Sequence, residues 1–123
     1  MGMRKKGAPR LSTLRHRPYE VTLESKLEEF YHGLDNEDSL KVAINKCIDA
    51  LDESMFSREQ IKKRQIPKYY VIRFGVTNLY RFRLDRARRA SYTIVSMDGI
   101  IKVIVLEVFP DHKSYERRFH YSG

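Results

Sequence analysis

Five arginines fall within nine residues of the stretch "NLYRFRLDRARRASY": Arg81, Arg83, Arg86, Arg88 and Arg89. A guanidinium is a planar fork of N–H donors that matches the oxygens of a phosphate, so such a cluster suits holding and neutralising a phosphodiester. Side-chain alternation along a strand sorts the residues around them. Tyr80, Phe82 and Leu84 fall on one side, Leu79, Arg81 and Arg83 on the other. Ala90, Tyr92 and Ile94 likewise oppose Arg89, Ser91 and Thr93. Arg81, Arg83 and Arg89 are therefore expected to project together from one solvated sheet face, forming a shallow basic cleft that a C-terminal tail embraces. Charge on an exposed strand also guards against edge-to-edge association. That accounts for one or two arginines and poorly for five.

The chain has 123 residues and a net charge of +8, and the charge is segregated. Residues 1–18 carry six basic and no acidic residues, and residues 19–57 carry three basic and ten acidic ones. Residues 58–94 carry eleven basic and two acidic ones, while residues 95–123 balance at four each. A basic middle after an acidic portion points to a polyanion-binding face, nucleic acid above all. A merely solubilising surface is the alternative. With 41% apolar and 33% charged residues the chain reads as one globular domain, 19–123, preceded by a flexible basic arm, 1–18. No apolar run approaches the length of a membrane span and the N-terminus has no hydrophobic signal core, so a cytoplasmic protein is expected. The single Cys47 excludes an internal disulfide, and no CxxC or HxxxH pairing suggests a metal site.

The elements that must carry the arginines follow from periodicity. "YEVTL" alternates as a first strand. Ser25-Lys26-Leu27-Glu28 has the pattern of a capping box and opens a helix with Leu27, Phe30, Tyr31 and Leu34 on one face. Gly33 and "DNED" interrupt it. A second helix runs to about Ser54, its stripe made by Leu40, Ala43, Ile44, Cys47, Ile48 and Leu51, which makes Cys47 a packed core thiol. Downstream the period shortens to two. Asp98-Gly99 marks a hairpin, and "IIKVIVLEVF" reads as a central strand covered on both faces. "DHKSYERRFHY" reads as a terminal turn or helix. The expected fold is α+β, an N-terminal strand and two-helix hairpin packed on a small antiparallel sheet, in the order β-α-α-β-β-β with a short tail.

This order, with "NLYRFRL…RRASYTI…DGIIKVIVLEVFPDHKSYERRFHY", resembles the RelE/ParE superfamily of prokaryotic type II toxins, in its RelE-like branch. The resemblance spans residues 19–121 and implies a toxin that inhibits translation by cleaving mRNA on the ribosome, held in check by a cognate antitoxin protein. It implies phosphate contacts from Arg81 and Arg83, with Arg88 and Lys113 beside them, and an active-site role for Arg89. It places a further cation and a tyrosine or histidine in "DHKSY", making His112 and Tyr115 the candidates for catalysis. Tyr92 also fits the family pattern, but its parity turns it into the core. His16, His32 and His120 match no pattern.

The chemistry so implied requires no metal or cofactor, because RNA supplies its own 2′-hydroxyl nucleophile. The protein must align that hydroxyl, accept its proton, neutralise the phosphorane and protonate the departing 5′-oxygen. His112 is the expected acid or base, its ordinary pKa lying near 6.5. Tyr115 is the alternative for proton transfer or base stacking. Two rival functions use the same scaffold, a gyrase-inhibiting ParE-like toxin without nuclease activity and a catalytically inactive RNA- or DNA-binding member. The antitoxin is expected to lay an acidic or amphipathic segment over the sheet.

Overall fold

Ser25–His32 (α1) and Ser39–Glu53 (α2) form the two helices that the apolar stripes predict. The computed structural model describes residues 19–56 and 59–120, the last by its backbone alone. The basic arm 1–18, with His16, and the side chain of His120 lie outside the described residues. Helix α1 starts one residue earlier than its capping-box pattern suggests. Glu24 is the N-cap, its carboxylate accepting the backbone N–H groups of Lys26 and Leu27, and Ser25 donates its hydroxyl to the same carboxylate. A glutamate with an extended backbone (φ −60, ψ 150) does the work assigned to Ser25. Asp38 caps α2 through Leu40 N–H at 2.8 Å.

Five strands form one sheet in the order β1-β5-β4-β3-β2, with β1 at Tyr19–Leu23, β2 at Glu59–Gln60, β3 at Tyr80–Arg83, β4 at Arg89–Met97 and β5 at Ile100–Phe109. The β3-β4-β5 meander is antiparallel as expected, with Asp98 (φ 55) and Gly99 (φ 79) making the two-residue turn between β4 and β5. The sheet as a whole is not antiparallel. β1 pairs with β5 in parallel, Tyr19 beside Ile101 through Leu23 beside Val105, so the sheet is mixed. A parallel partner for β5 is possible because α1 and α2 return the chain across the sheet before the meander begins.

On that face Leu27, Cys47 and Leu51 of the helices pack on Tyr80, Phe82, Ala90, Tyr92, Val103 and Val105. Tyr80 and Tyr92 are register partners whose rings stack at 5.1 Å, and both are buried, as parity predicts. Cys47 is 1% exposed in the same core. The Tyr92 hydroxyl donates to Met55 C=O at 2.9 Å, which satisfies the polar end of a fully buried ring.

The opposite face carries the C-terminal segment, as expected, but corrects the expectation that the rest of it is solvated. Lys68–Phe74 forms a further helix (α3), and His112–His120 forms the C-terminal one (α4). Tyr70 of α3 and Tyr115 of α4 pack there with Leu79, Leu106 and Phe109. Ser91 and Thr93, expected to face solvent, are 0% and 2% exposed. The sheet is thus a middle layer, α1 and α2 on one side and α3 and α4 on the other. α3 comes from the segment between the second helix and the meander, where Pro67 precedes its first turn and Gly75, at φ 65, ends it in the left-handed region. No helix among the described residues is long and apolar enough to cross a membrane.

A bulge in β5 shapes the covered face. Ser91 pairs with Glu107, but Tyr92 pairs with Val105, leaving Leu106 as the extra residue. Leu106 and Glu107 consequently both serve the second face, and Glu107 enters an otherwise apolar layer with its carboxylate.

Candidate nucleic-acid interface

The β3–β4 hairpin presents the arginines in one row. Arg83 lies directly opposite Arg89, and Arg81 directly opposite Ser91, so all three arginines share a sheet face as parity requires. Like charges facing each other across strands destabilise a sheet. Here the repulsion registers on Arg89, whose guanidinium is held below its ordinary pKa by partial burial and then by Arg83 and Arg81.

Each guanidinium is placed differently. Arg89 curls back over its own turn, Nη1 donating to the carbonyls of Asp85, Arg86 and Arg88 at 3.0, 3.2 and 3.1 Å. Arg81 donates through Nη1 to the Tyr115 hydroxyl at 2.5 Å and through Nη2 to the Glu59 carboxylate on neighbouring β2. Its pKa is raised, chiefly by Glu59 against the opposing effect of burial. Arg83 is exposed, and among the described residues no hydrogen bond or ion pair holds its guanidinium. The row therefore contains one arginine tied to its turn, one bridged to α4 and one open to a ligand.

Asp85 builds the turn. Its carboxylate accepts the N–H groups of Ala87 and Arg88 and the Arg88 Nε at 2.7 Å. Those contacts, the Arg88 ones first, hold the Asp85 carboxyl below its ordinary pKa. Arg88 also reaches Ser39 at the start of α2, 3.3 Å away, so its charge serves the turn and the helix layer rather than the row. Arg86 is exposed at the same turn.

Of the three tail residues, the structure brings Tyr115 to the row. Its ring is 8% exposed, stacked on Phe119 at 4.5 Å and set edge-on to Phe109 at 5.4 Å, while the hydroxyl meets Arg81. Because that oxygen accepts from Arg81, its own hydrogen is left to donate. Helix α4 holds this position through Asp111, which accepts the Ser114 N–H at 2.7 Å. His112 lies one turn earlier, exposed, with Nε2 3.0 Å from Glu116 on its own helix. Lys113 is exposed beside it.

Behind the row lies a network that sequence reasoning missed. The Tyr70 hydroxyl donates to Glu107 at 2.6 Å, so the Ser91 hydroxyl 2.9 Å away must donate to Tyr70. Arg118 closes the set with bonds of 3.0 and 2.8 Å to the two Glu107 oxygens, and its guanidinium lies 3.5 Å over the Tyr69 ring. Burial, then the Glu107 carboxylate, push the Tyr70 phenol far above its ordinary pKa and keep it protonated. The available signal was a lone glutamate inside the apolar run "VIVLEVF". Such a residue needs a partner if that strand is buried.

Among the described residues no group of three or more His, Cys, Asp or Glu side chains is arranged to hold a metal ion. No family model, curated protein or solved structure matches the chain.

Proposed function

We propose that this protein is a RelE-like toxin of a type II toxin–antitoxin system that cleaves mRNA on the ribosome, with the β3–β4 arginine row as its phosphate site. The observation carrying this reading is the cross-strand pair Arg83–Arg89 with Arg81 in the same row and Tyr115 on Arg81. A sheet gains nothing in stability from placing like charges opposite each other, whereas a bound phosphodiester relieves all three.

In the proposed reaction the 2′-oxygen attacks the adjacent phosphorus, the bond to the 5′-oxygen breaks, and a 2′,3′-cyclic phosphate remains. Arg83 and Arg89 hold the non-bridging oxygens and neutralise the charge that grows on them. Arg81 orients Tyr115, whose hydroxyl donates its proton to the departing 5′-oxygen. His112, one turn before Tyr115 on α4, is assigned the proton from the 2′-hydroxyl. Arg88, engaged by Asp85, supports the turn, and Lys113 adds charge beside the tail.

Two contacts favour a second reading, an RNA-binding member without catalysis. His112 rests on Glu116, and Glu59 occupies Arg81, so both groups have partners before RNA arrives. Induced expression with mapping of messenger ends decides between them. Growth arrest with new 2′,3′-cyclic ends inside translated codons, abolished by Arg89→Ala, is the expected result. RNA binding without cleavage overturns the nuclease assignment, and arrest with DNA damage transfers the row to gyrase inhibition.

A further inference from the structure

Residues 58–94 hold two acidic side chains against eleven basic ones, and both acids are engaged, Glu59 by Arg81 of the row and Asp85 by Arg88 at the β3–β4 turn. Among the described residues the other cations of the segment have no counter-charge within it. Lys62, Lys63, Arg64 and Lys68 follow β2 directly, all exposed, and among the described residues none of them meets a carboxylate.

They are not on a loose loop. Ile61, 9% exposed, donates its N–H to Leu79 C=O at 2.9 Å and extends the pairing beside β3. Pro67 is buried at the other end. Between these anchors Lys63–Gln65 makes a 3₁₀ turn, with Gln65 N–H on Lys62 C=O and Ile66 N–H on Lys63 C=O. Consecutive cations are thus fixed at the sheet edge beyond the Arg81 end of the row, on the side away from Arg83 and Arg89. Glu59 is the register partner of Arg81, and Lys63 lies four residues on, at most about 14 Å from Glu59 along the chain, while Arg83 and its partner Arg89 lie two residues off in the other direction. At a rise of about 3.4 Å per nucleotide that is roughly four nucleotides of stacked strand.

We propose that Lys62, Lys63 and Arg64 form a second backbone subsite, which takes the phosphates of single-stranded RNA flanking the one held by Arg81, Arg83 and Arg89. The proposal deepens the reading of the row as an RNA site and rests on it. The row selects the phosphate, and the turn sets the direction in which the strand leaves. Site size then exceeds what the row can cover.

The test is salt-dependent binding of 2′-O-methyl RNA, which 2′-attack cannot cleave, as a trimer and as a decamer. Wild type, the triple variant K62A/K63A/R64A and the row variant R83Q/R89Q are compared, with thermal melts confirming that each is folded. Three lost phosphate contacts lower the slope of log affinity against log salt by about 2 for the decamer, a loss of up to about 100-fold at 0.1 M relative to 1 M salt. Trimer binding should not change in the triple variant. An unchanged decamer slope overturns the subsite, as does an equal loss on trimer and decamer, which would mark a general field effect. Trimer binding that survives R83Q/R89Q overturns the row as RNA site and the subsite with it. Trimer loss there, with unchanged decamer binding in the triple variant, overturns the subsite alone.

Discussion

Replacing Arg83 should move stability and RNA affinity in opposite directions. Arg83 lies opposite Arg89 and is exposed, so its charge opposes folding and its stem fills no core. Arg83→Gln removes the repulsion while keeping a similar stem. A like-charge cross-strand pair costs roughly 0.2–1 kcal/mol, so the variant should be more stable by about half a kcal/mol, a rise in melting temperature of about 2 °C. Added salt screens the repulsion in the parent and should shrink the difference. Arg83→Glu, which places a carboxylate opposite Arg89, should stabilise further. A hydrogen bond from a charged donor to phosphate contributes about 1.5–3 kcal/mol, so Arg83→Gln should bind RNA roughly 10- to 150-fold more weakly. Arg83→Glu should bind more weakly still. Thermal melts at low and high salt, with RNA titrations on the same preparations, read both quantities. A variant that loses stability while keeping RNA affinity would refute the reasoning, because it would make Arg83 a structural residue.

Tyr115→Phe keeps the stack on Phe119 and removes the hydroxyl that Arg81 meets, so it should lower the cleavage rate while leaving RNA affinity within about twofold, measured by single-turnover cleavage beside binding. His112→Ala should also lower cleavage, and a wild-type rate would remove it from the mechanism. Tyr70→Phe leaves the buried Ser91 hydroxyl without its acceptor and takes one bond from Glu107, a loss of about 1–3 kcal/mol that thermal melts should register as a drop of several degrees. The Asp85 and Asp111 carboxyls lie below their ordinary value of 3.8, held by Arg88 and by Ser114 respectively. Burial opposes ionisation of Glu24, but its capping bonds outweigh that and hold it below 4.5. Folded values below unfolded ones mean stability that is complete above the unfolded value and lost as pH falls through the folded one. The melting temperature should therefore decline with acid below about pH 4.5, and less steeply in Asp85→Asn.

The sequence by itself determined the pieces that depend on local periodicity. The stripe from Leu40 to Leu51 could bury only as a helix, and Asp98-Gly99 between two apolar runs could close only as a tight turn. The period of two in "LYRFRL" and "RASYTIV" placed Tyr80, Phe82 and Tyr92 in the core and aligned Arg81, Arg83 and Arg89 on the other face. Tertiary structure decided what that other face meets. The pattern of Arg89, Ser91 and Thr93 is the same whether water or a helix covers it, and only the return of α3 and α4 buried Ser91 and Thr93. Pairing partners were equally out of reach, since nothing local in "YEVTL" says that it will join β5 in parallel. The same holds for Glu59 on Arg81, a contact between residues 22 positions apart, and for Tyr115 on Arg81, 34 apart. Alternation along a strand is set by the backbone of that strand alone, whereas a partner across the sheet is chosen by how the whole chain closes.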